Sequence, residues 1–246
     1  LRFNSHRARL SRRIVFATYL KLGLVSFSVI CVIALAAVRS SDSWNLLGLA
    51  TPVLSLYAAV TLALGLSLHR QIEGPSLAIY RTVGTGVAVF AGLLLLTCVA
   101  LAWPNPSVLI LVGLMNGATL LALAFFGQMP VFCAPALACI SFAIAIAVPL
   151  AVGKLDANSV TSTALVRELL TTRTSLLLSA MMVIAAAPIA QLRKRGMTDY
   201  AMQFGMGGAV HMAASTLLAL YVGFIRLSDD QAIAAPILLT HAILLL

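Results

Sequence analysis

Two histidines stand out as the residues most able to do chemistry within the long apolar segments of this sequence. His211 shares one face of a predicted helix with Gly208 and Ser215, because these residues are separated by three and four positions. His241 lies in a second apolar segment near the end of the chain. Two histidines on adjacent membrane helices could ligate a haem, although a hydrogen bond to a neighbouring helix also accounts for each of them. Nothing else supports a haem, so we predict no cofactor and keep haem binding through both histidines as the alternative.

A copper site is a second hypothesis for the same region. Met202 and Met206 are four residues apart, but they point about 180° and about 140° away from His211 on a helix. One helix therefore cannot present these three side chains to one metal ion. Copper would need a second helix, with Met181 and Met182 as its ligands. We predict no metal site.

A glycine-rich stretch precedes His211 and offers a different kind of site. Its glycines either let another helix pack closely or allow a local unwinding, whose freed backbone groups would bind a ligand. Hydroxyl and imidazole groups follow on the same helix. The candidate substrate or ligand site consists of Gly207, Gly208, His211 and Ser215.

A GxxxG pattern lies in another apolar segment, at Gly113 and Gly117. Two glycines one turn apart let a second backbone come close, and Asn116 beside them can donate a hydrogen bond across the contact. The pattern predicts either packing within the chain or an interface with a second copy or another subunit.

The acidic residues exclude several functions by their positions. All seven Asp and Glu residues fall outside the predicted apolar spans. Ion-coupled carriers and intramembrane hydrolases use carboxylates at membrane depth despite their cost, so these classes are disfavoured. The sequence also lacks a phosphate-binding loop, a nucleophile elbow and a zinc-protease motif. A catalytic role is therefore the least favoured of three functional classes, while channels and carriers that use backbone groups remain open.

Composition defines the elements that must position these residues. Of 246 residues, 61% are hydrophobic and 9% are charged, whereas soluble domains carry about 25% charged residues. The apolar runs are long and do not alternate, which predicts an all-α polytopic transmembrane bundle rather than a barrel. A short interfacial helix is expected at about 158–173. The complete spans are predicted at 22–38, 44–68, 82–103, 108–126, 131–152, 175–192 and 204–224, with a partial eighth from 232.

Charge predicts the orientation of this bundle. Residues 1–21 form a basic arm, and residues 22–246 form one membrane domain. Most of the 16 basic residues fall on the side of the arm and most of the seven acids on the other, which predicts the N-terminus inside. The net charge of +9 is therefore a topology signal, and nucleic acid is not expected as a partner. The last segment has about 15 apolar residues, fewer than the roughly 20 of a crossing, so we expect the chain to continue.

Two functional classes fit these observations. The first is a non-enzymatic membrane subunit or anchor, in a bacterial inner membrane or an organelle inner membrane, with the bilayer and other membrane subunits or a second copy as partners. The second is a transporter or channel for a small neutral, anionic or apolar substrate. A central cavity lined by Asn116, Gly208, His211 and Ser215 would favour transport. A solid bundle with Gly113 and Gly117 facing outward would favour a subunit.

Overall fold

A computed structural model describes residues 43–71, 78–155, 160–226 and 231–245. The chain in these ranges is all-helical, as predicted. The helices are α1 Ser43–Gln71, α2 Ala78–Ala102, α3 Pro106–Phe125, α4 Cys133–Ala151, α5 Ser162–Leu169, α6 Thr172–Ala186, α7 Ile189–Lys194, α8 Thr198–Leu220 and α9 Gln231–Leu245. A 3₁₀ turn at Pro130–Phe132 precedes α4, and a π-helical turn at Tyr221–Arg226 follows α8.

Six helical segments in the described ranges are long and apolar enough to cross a membrane, which supports a multi-pass membrane protein. They correspond to the second to seventh predicted spans. The predicted first span, 22–38, and the basic arm lie outside the described residues. The count of seven and the inward N-terminus therefore stay predictions. The six segments are Ala50–Ser67, Gly84–Ala102, Pro106–Phe125, Pro130–Ala151, Thr172–Lys194 and Thr198–Phe224, and a shorter apolar helix covers Ile233–Ile243.

The boundaries differ from prediction around the interfacial segment and the sixth span. The expected helix at 158–173 is only the eight residues of α5, because Leu170 leaves the helical conformation with φ −88° and ψ 56°. The next helix begins at Thr172, three residues earlier than predicted. The span then divides into α6 and α7 at Pro188, since proline has no N–H with which to continue the hydrogen-bond ladder.

The chain divides into two compact units, Leu1–Ala102 and Trp103–Leu246. In the first, α1 and α2 pack closely at Gly65. A Cβ atom added there would lie 2.7 Å from the backbone nitrogen of Ala88 and 2.9 Å from the carbonyl oxygen of Gly84. Only a residue without a side chain permits this approach of two helix backbones.

In the second unit, α8 is the central helix and contacts α4, α6, α7 and α9. One apolar core forms where Leu137 of α4 meets Met181 and Ala185 of α6. A second forms where Ala219 of α8 meets Ala234 and Ile237 of α9. Helix α8 therefore positions the predicted glycine and histidine site against α4 and α6.

The glycine-rich stretch of α8 is not unwound. Residues 205–208 lie within a continuous α-helix from Thr198 to Leu220. Of the two roles expected for these glycines, local unwinding or close helix packing, the structure therefore shows close packing. The departure from α-helical geometry is at the opposite end, in the π-helical turn at Tyr221–Arg226.

Candidate functional site

Two adjacent glycines of α8 face two different helices. A Cβ added at Gly207 would lie 3.0 Å from Leu137 Cδ1 of α4. At Gly208 it would lie 3.6 Å from Ala185 Cβ and from the Met182 carbonyl oxygen of α6. The small side of α8 is thus shared between α4 and α6, and this brings the polar groups of all three helices together.

His211 is buried, with 3% of its surface exposed, and joins α8 to α4. Its Nε2 lies 2.6 Å from the Ser141 hydroxyl of α4. Its Nδ1 lies 2.6 Å from the Gly207 carbonyl oxygen, one turn earlier on α8. The Ser141 hydroxyl also lies 2.7 Å from the carbonyl oxygen of Leu137.

These contacts assign the hydrogen on His211. A carbonyl oxygen only accepts, so Nδ1 carries the hydrogen and donates to Gly207. In the neutral ring Nε2 then accepts, and Ser141 must donate its single hydrogen to it.

Three serines form a second cluster between α6 and α8, in which Ser175 and Ser215 are buried and Ser179 is partly buried. Ser175 donates to the Ser215 carbonyl oxygen at 2.8 Å, and Ser215 donates back to the Ser175 carbonyl oxygen at 2.7 Å. The Ser179 hydroxyl lies 2.8 Å from the Ser215 hydroxyl. Because Ser175 and Ser215 each bond to the other's backbone, this contact also fixes the register of the two helices.

His241 connects α9 to this serine cluster. It is 2% exposed, with Nε2 3.0 Å from the Ser179 hydroxyl of α6 and Nδ1 2.8 Å from the Thr216 hydroxyl of α8. Thr216 also donates to the Met212 carbonyl oxygen at 2.8 Å. The result is a continuous chain of polar groups across three helices, from Thr216 through His241, Ser179 and Ser215 to Ser175.

All four ring nitrogens of the two histidines thus contact hydrogen-bond partners. Coordination of a haem iron by His211 and His241 would require at least one such bond to break on each ring. Haem ligation stays a prediction at odds with this packing.

The predicted methionines do not converge on His211. Met202 and Met206 are 57% and 52% exposed on α8, whereas His211 is buried. Met181 is 5% exposed in the α4–α6 core. Within the described ranges no group of three or more His, Cys, Asp or Glu residues is placed to hold a metal ion.

The GxxxG residues pack within the chain. A Cβ at Gly113 would lie 3.0 Å from Ala143 Cβ, and one at Gly117 would lie 2.6 Å from Ile140 Cγ1, both on α4. Asn116, which lies on α3 between the two glycines, is 2% exposed. The motif therefore brings α3 against α4 rather than facing outward, and it forms a contact distinct from the α6–α8–α9 cluster.

Sequence reasoning missed four hydroxyl residues of the two clusters: Ser141, Ser175, Ser179 and Thr216. A signal was present on α6, where Thr172, Ser175 and Ser179 follow at helical spacing and so share a face. Thr172 continues this polar stripe, and its buried hydroxyl has no hydrogen-bond partner within the described part of the chain. Ser141 and Thr216 are isolated among apolar residues, and only the packing reveals their partners.

Comparison with protein-family models, with curated proteins and with solved structures finds no match for this chain.

Proposed function

We propose that this chain is a non-enzymatic, membrane-embedded subunit or anchor whose polar interior holds its helices together. The observation that carries the proposal is the use made of the buried histidines. His211 and His241 are each bonded through both nitrogens, and their partners include hydroxyls of other helices. Side chains engaged in this way stabilise helix association, because each hydrogen bond that they make replaces an unpaired group in hydrocarbon.

The surface of α6 and α7 is the part of the second unit that we assign to a partner. In an apolar stretch of 18 residues within Thr172–Lys194, 17% of the residues are buried, against 39% in the equivalent stretches of Pro130–Ala151 and Thr198–Phe224. Val183 and Ile184 are 60% and 57% exposed on α6. A membrane subunit would use such an apolar face to pack against another protein, where helix packing rather than water exclusion provides the energy.

Extraction of tagged protein from its native membrane in mild detergent, followed by native mass spectrometry, tests this proposal. The expected result is a species of constant composition heavier than the 25.8 kDa chain. A chain that is recovered only as a monomer would refute the subunit function.

A matched pair of substitutions locates the contact. Ile184→Trp on α6 is expected to release the partner, whereas Leu217→Trp, at a position 68% exposed on α8, is expected to leave the complex intact. Both changes keep the surface apolar, so insertion into the membrane is not affected. If both variants retain the complex, the partner does not bind at α6.

One observation favours transport as a second candidate function. A groove of about 180 Å³ runs beside the glycines of α8, and its lining is apolar, as a small apolar substrate would require. The lining residues are Met182, Ala186, Ile189, Phe204, Gly205, Gly208, Ala209 and Met212.

Filling this groove separates the two functions. Gly205→Leu places a side chain in a space where a Cβ would meet only Ile189 Cδ1, at 3.8 Å. Transport predicts that this variant loses saturable binding of a small apolar probe such as toluene while it folds normally. A chain that serves only as a subunit should show no saturable toluene binding in either form.

A further inference from the structure

A second pocket lies at one end of the second unit, away from the histidine clusters. It has a volume of about 440 Å³, within the range of about 300–1,000 Å³ that is typical of ligand sites. Trp103 comes just before α3, α5 forms one side, and Tyr221 stands where α8 passes into the π-helical turn. The lining residues are Trp103, Ser162, Thr163, Val166, Arg167, Leu170 and Tyr221.

The residues around this pocket have the character of a membrane–water boundary. Helix α5 has one buried side, at Leu165 with 0% exposure, while Ser162, Thr163 and Arg167 are exposed. A helix with one apolar and one polar side is suited to lie along the interface between membrane and water. The indole Nε1 of Trp103 donates to the Ser162 hydroxyl at 3.0 Å and ties the start of α5 to the bundle.

The chemistry of the lining is that of a lipid headgroup site. Arg167 is the one charged residue among those that line the pocket in the described part of the chain, and a guanidinium matches the geometry of a phosphate. Trp103 and Tyr221 are the aromatic residues that favour headgroup depth. The neighbouring acid, Glu168, lines a different and smaller cavity together with Arg173.

We propose that this pocket binds the phosphodiester headgroup of an anionic phospholipid. Arg167 binds the phosphate, the hydroxyls of Ser162 and Thr163 face the polar part of the lipid, and Val166 and Leu170 contact the first carbons of its acyl chains. A lipid, rather than a free anion, accounts for the apolar residues and for the open form of the pocket.

Fluorescence quenching tests the site directly. The chain has two tryptophans, so a Trp44→Phe background leaves Trp103, in the pocket wall, as the sole emitter. The full chain is reconstituted in phosphatidylcholine vesicles containing brominated phosphatidylglycerol. We expect quenching of Trp103 above that of a random lipid mixture. Quenching that only follows the bulk fraction of brominated lipid would overturn the proposal.

Charge variants identify the binding group. Arg167→Gln is expected to weaken the apparent affinity about tenfold, the size of one charge-assisted contact, and Arg167→Lys to weaken it less. Arg173→Gln, which removes an exposed arginine from the other cavity, should leave quenching unchanged. Equal quenching in wild type and Arg167→Gln, with equal helix content by circular dichroism, would contradict the assignment.

Inorganic phosphate distinguishes a lipid from a free anion. At millimolar concentration it should not relieve the quenching by brominated phosphatidylglycerol, because it offers nothing to Val166 and Leu170. If millimolar phosphate relieves the quenching of Trp103, the pocket is a free-anion site and the lipid proposal is wrong.

Discussion

The hydrogen bond between His241 and Ser179 can be tested by combining His241→Leu with Ser179→Ala. The coupling energy between the two substitutions reports on this bond, whereas neither single substitution isolates it. His241→Leu removes the contacts to Ser179 and Thr216, at 3.0 and 2.8 Å. Both hydroxyls keep a backbone acceptor, so no polar atom is left unpaired. Hydrogen bonds between membrane helices average about 0.6 kcal/mol and reach about 1.7 kcal/mol. We therefore expect a loss of about 1–2 kcal/mol in the free energy of unfolding.

The smaller substitution is expected to cost at least as much. Ser179→Ala removes one hydroxyl but leaves Nε2 of His241 buried without this partner, and an unpaired buried group costs about 1–3 kcal/mol. In a His241→Leu background that nitrogen is absent, so Ser179→Ala then loses only the contacts of its hydroxyl to Ser215 and to the Ser175 carbonyl oxygen. The double-mutant cycle should show a coupling of about 1 kcal/mol.

Titration with sodium dodecyl sulfate in mixed micelles measures these free energies, with Trp103 as the reporter of the second unit in a Trp44→Phe background. Ser141→Ala combined with His241→Leu is the control pair, because Ser141 bonds to His211 instead. The control pair should be additive within about 0.5 kcal/mol. A coupling below about 0.3 kcal/mol for the test pair, or equal coupling in the control pair, would refute the reasoning.

Three further predictions concern helix packing and the hydrogen on His211. Gly65→Ala should destabilise the first unit by about 1–3 kcal/mol in the same titration, because its Cβ would lie 2.7 Å from a backbone nitrogen of α2. Gly86→Ala, with nothing within 4 Å, should be neutral or stabilising, and equal effects would contradict this. Gly117→Leu should lower the thermal stability of the second unit far more than Gly205→Leu does, because an added Cβ would lie 2.6 Å from Ile140 Cγ1 at Gly117 and 3.8 Å from Ile189 Cδ1 at Gly205. A similar melting temperature for both would show that α3 and α4 are not packed at Gly117. Nitrogen-15 NMR of neutral His211 should show the hydrogen on Nδ1, and a ring with its hydrogen on Nε2 would exclude the assigned bonds. Ser141→Ala should lower the free energy of unfolding by about 1–3 kcal/mol, because it leaves Nε2 of His211 without a partner.

The helices were predictable because their signal is local. Long apolar runs identified the six spans in the described residues. The division of the sixth span into α6 and α7 has a local cause as well, because Pro188 has no N–H with which to continue the helix. The least accurate boundary was α5. Its ends depend on the Thr161 hydroxyl, which accepts from the Ala164 N–H at 3.3 Å, and on the non-helical backbone of Leu170. The positions of such helix ends depend on the neighbouring structure rather than on the hydrophobic pattern.

The sequence also indicated that Gly208, His211 and Ser215 share a face of one helix, since helical spacing alone determines it. It could not show that the glycines stay helical, nor that Gly113 and Gly117 turn toward α4 of the same chain. Whether a glycine pair meets its own chain or another depends on which helix lies nearest, and that depends on the whole arrangement of the bundle.

The amino-acid sequence by itself therefore determined the class of protein, because the cost of exposing apolar residues to water, and of burying charged ones in lipid, is a property of composition and of position along the chain. Only the tertiary structure decided the partners of the polar groups. His241 meets Ser179, 62 positions earlier, and His211 meets Ser141, 70 positions earlier. A hydrogen bond requires two groups within about 3 Å, and for residues on different helices that distance is set by packing and not by spacing in the chain.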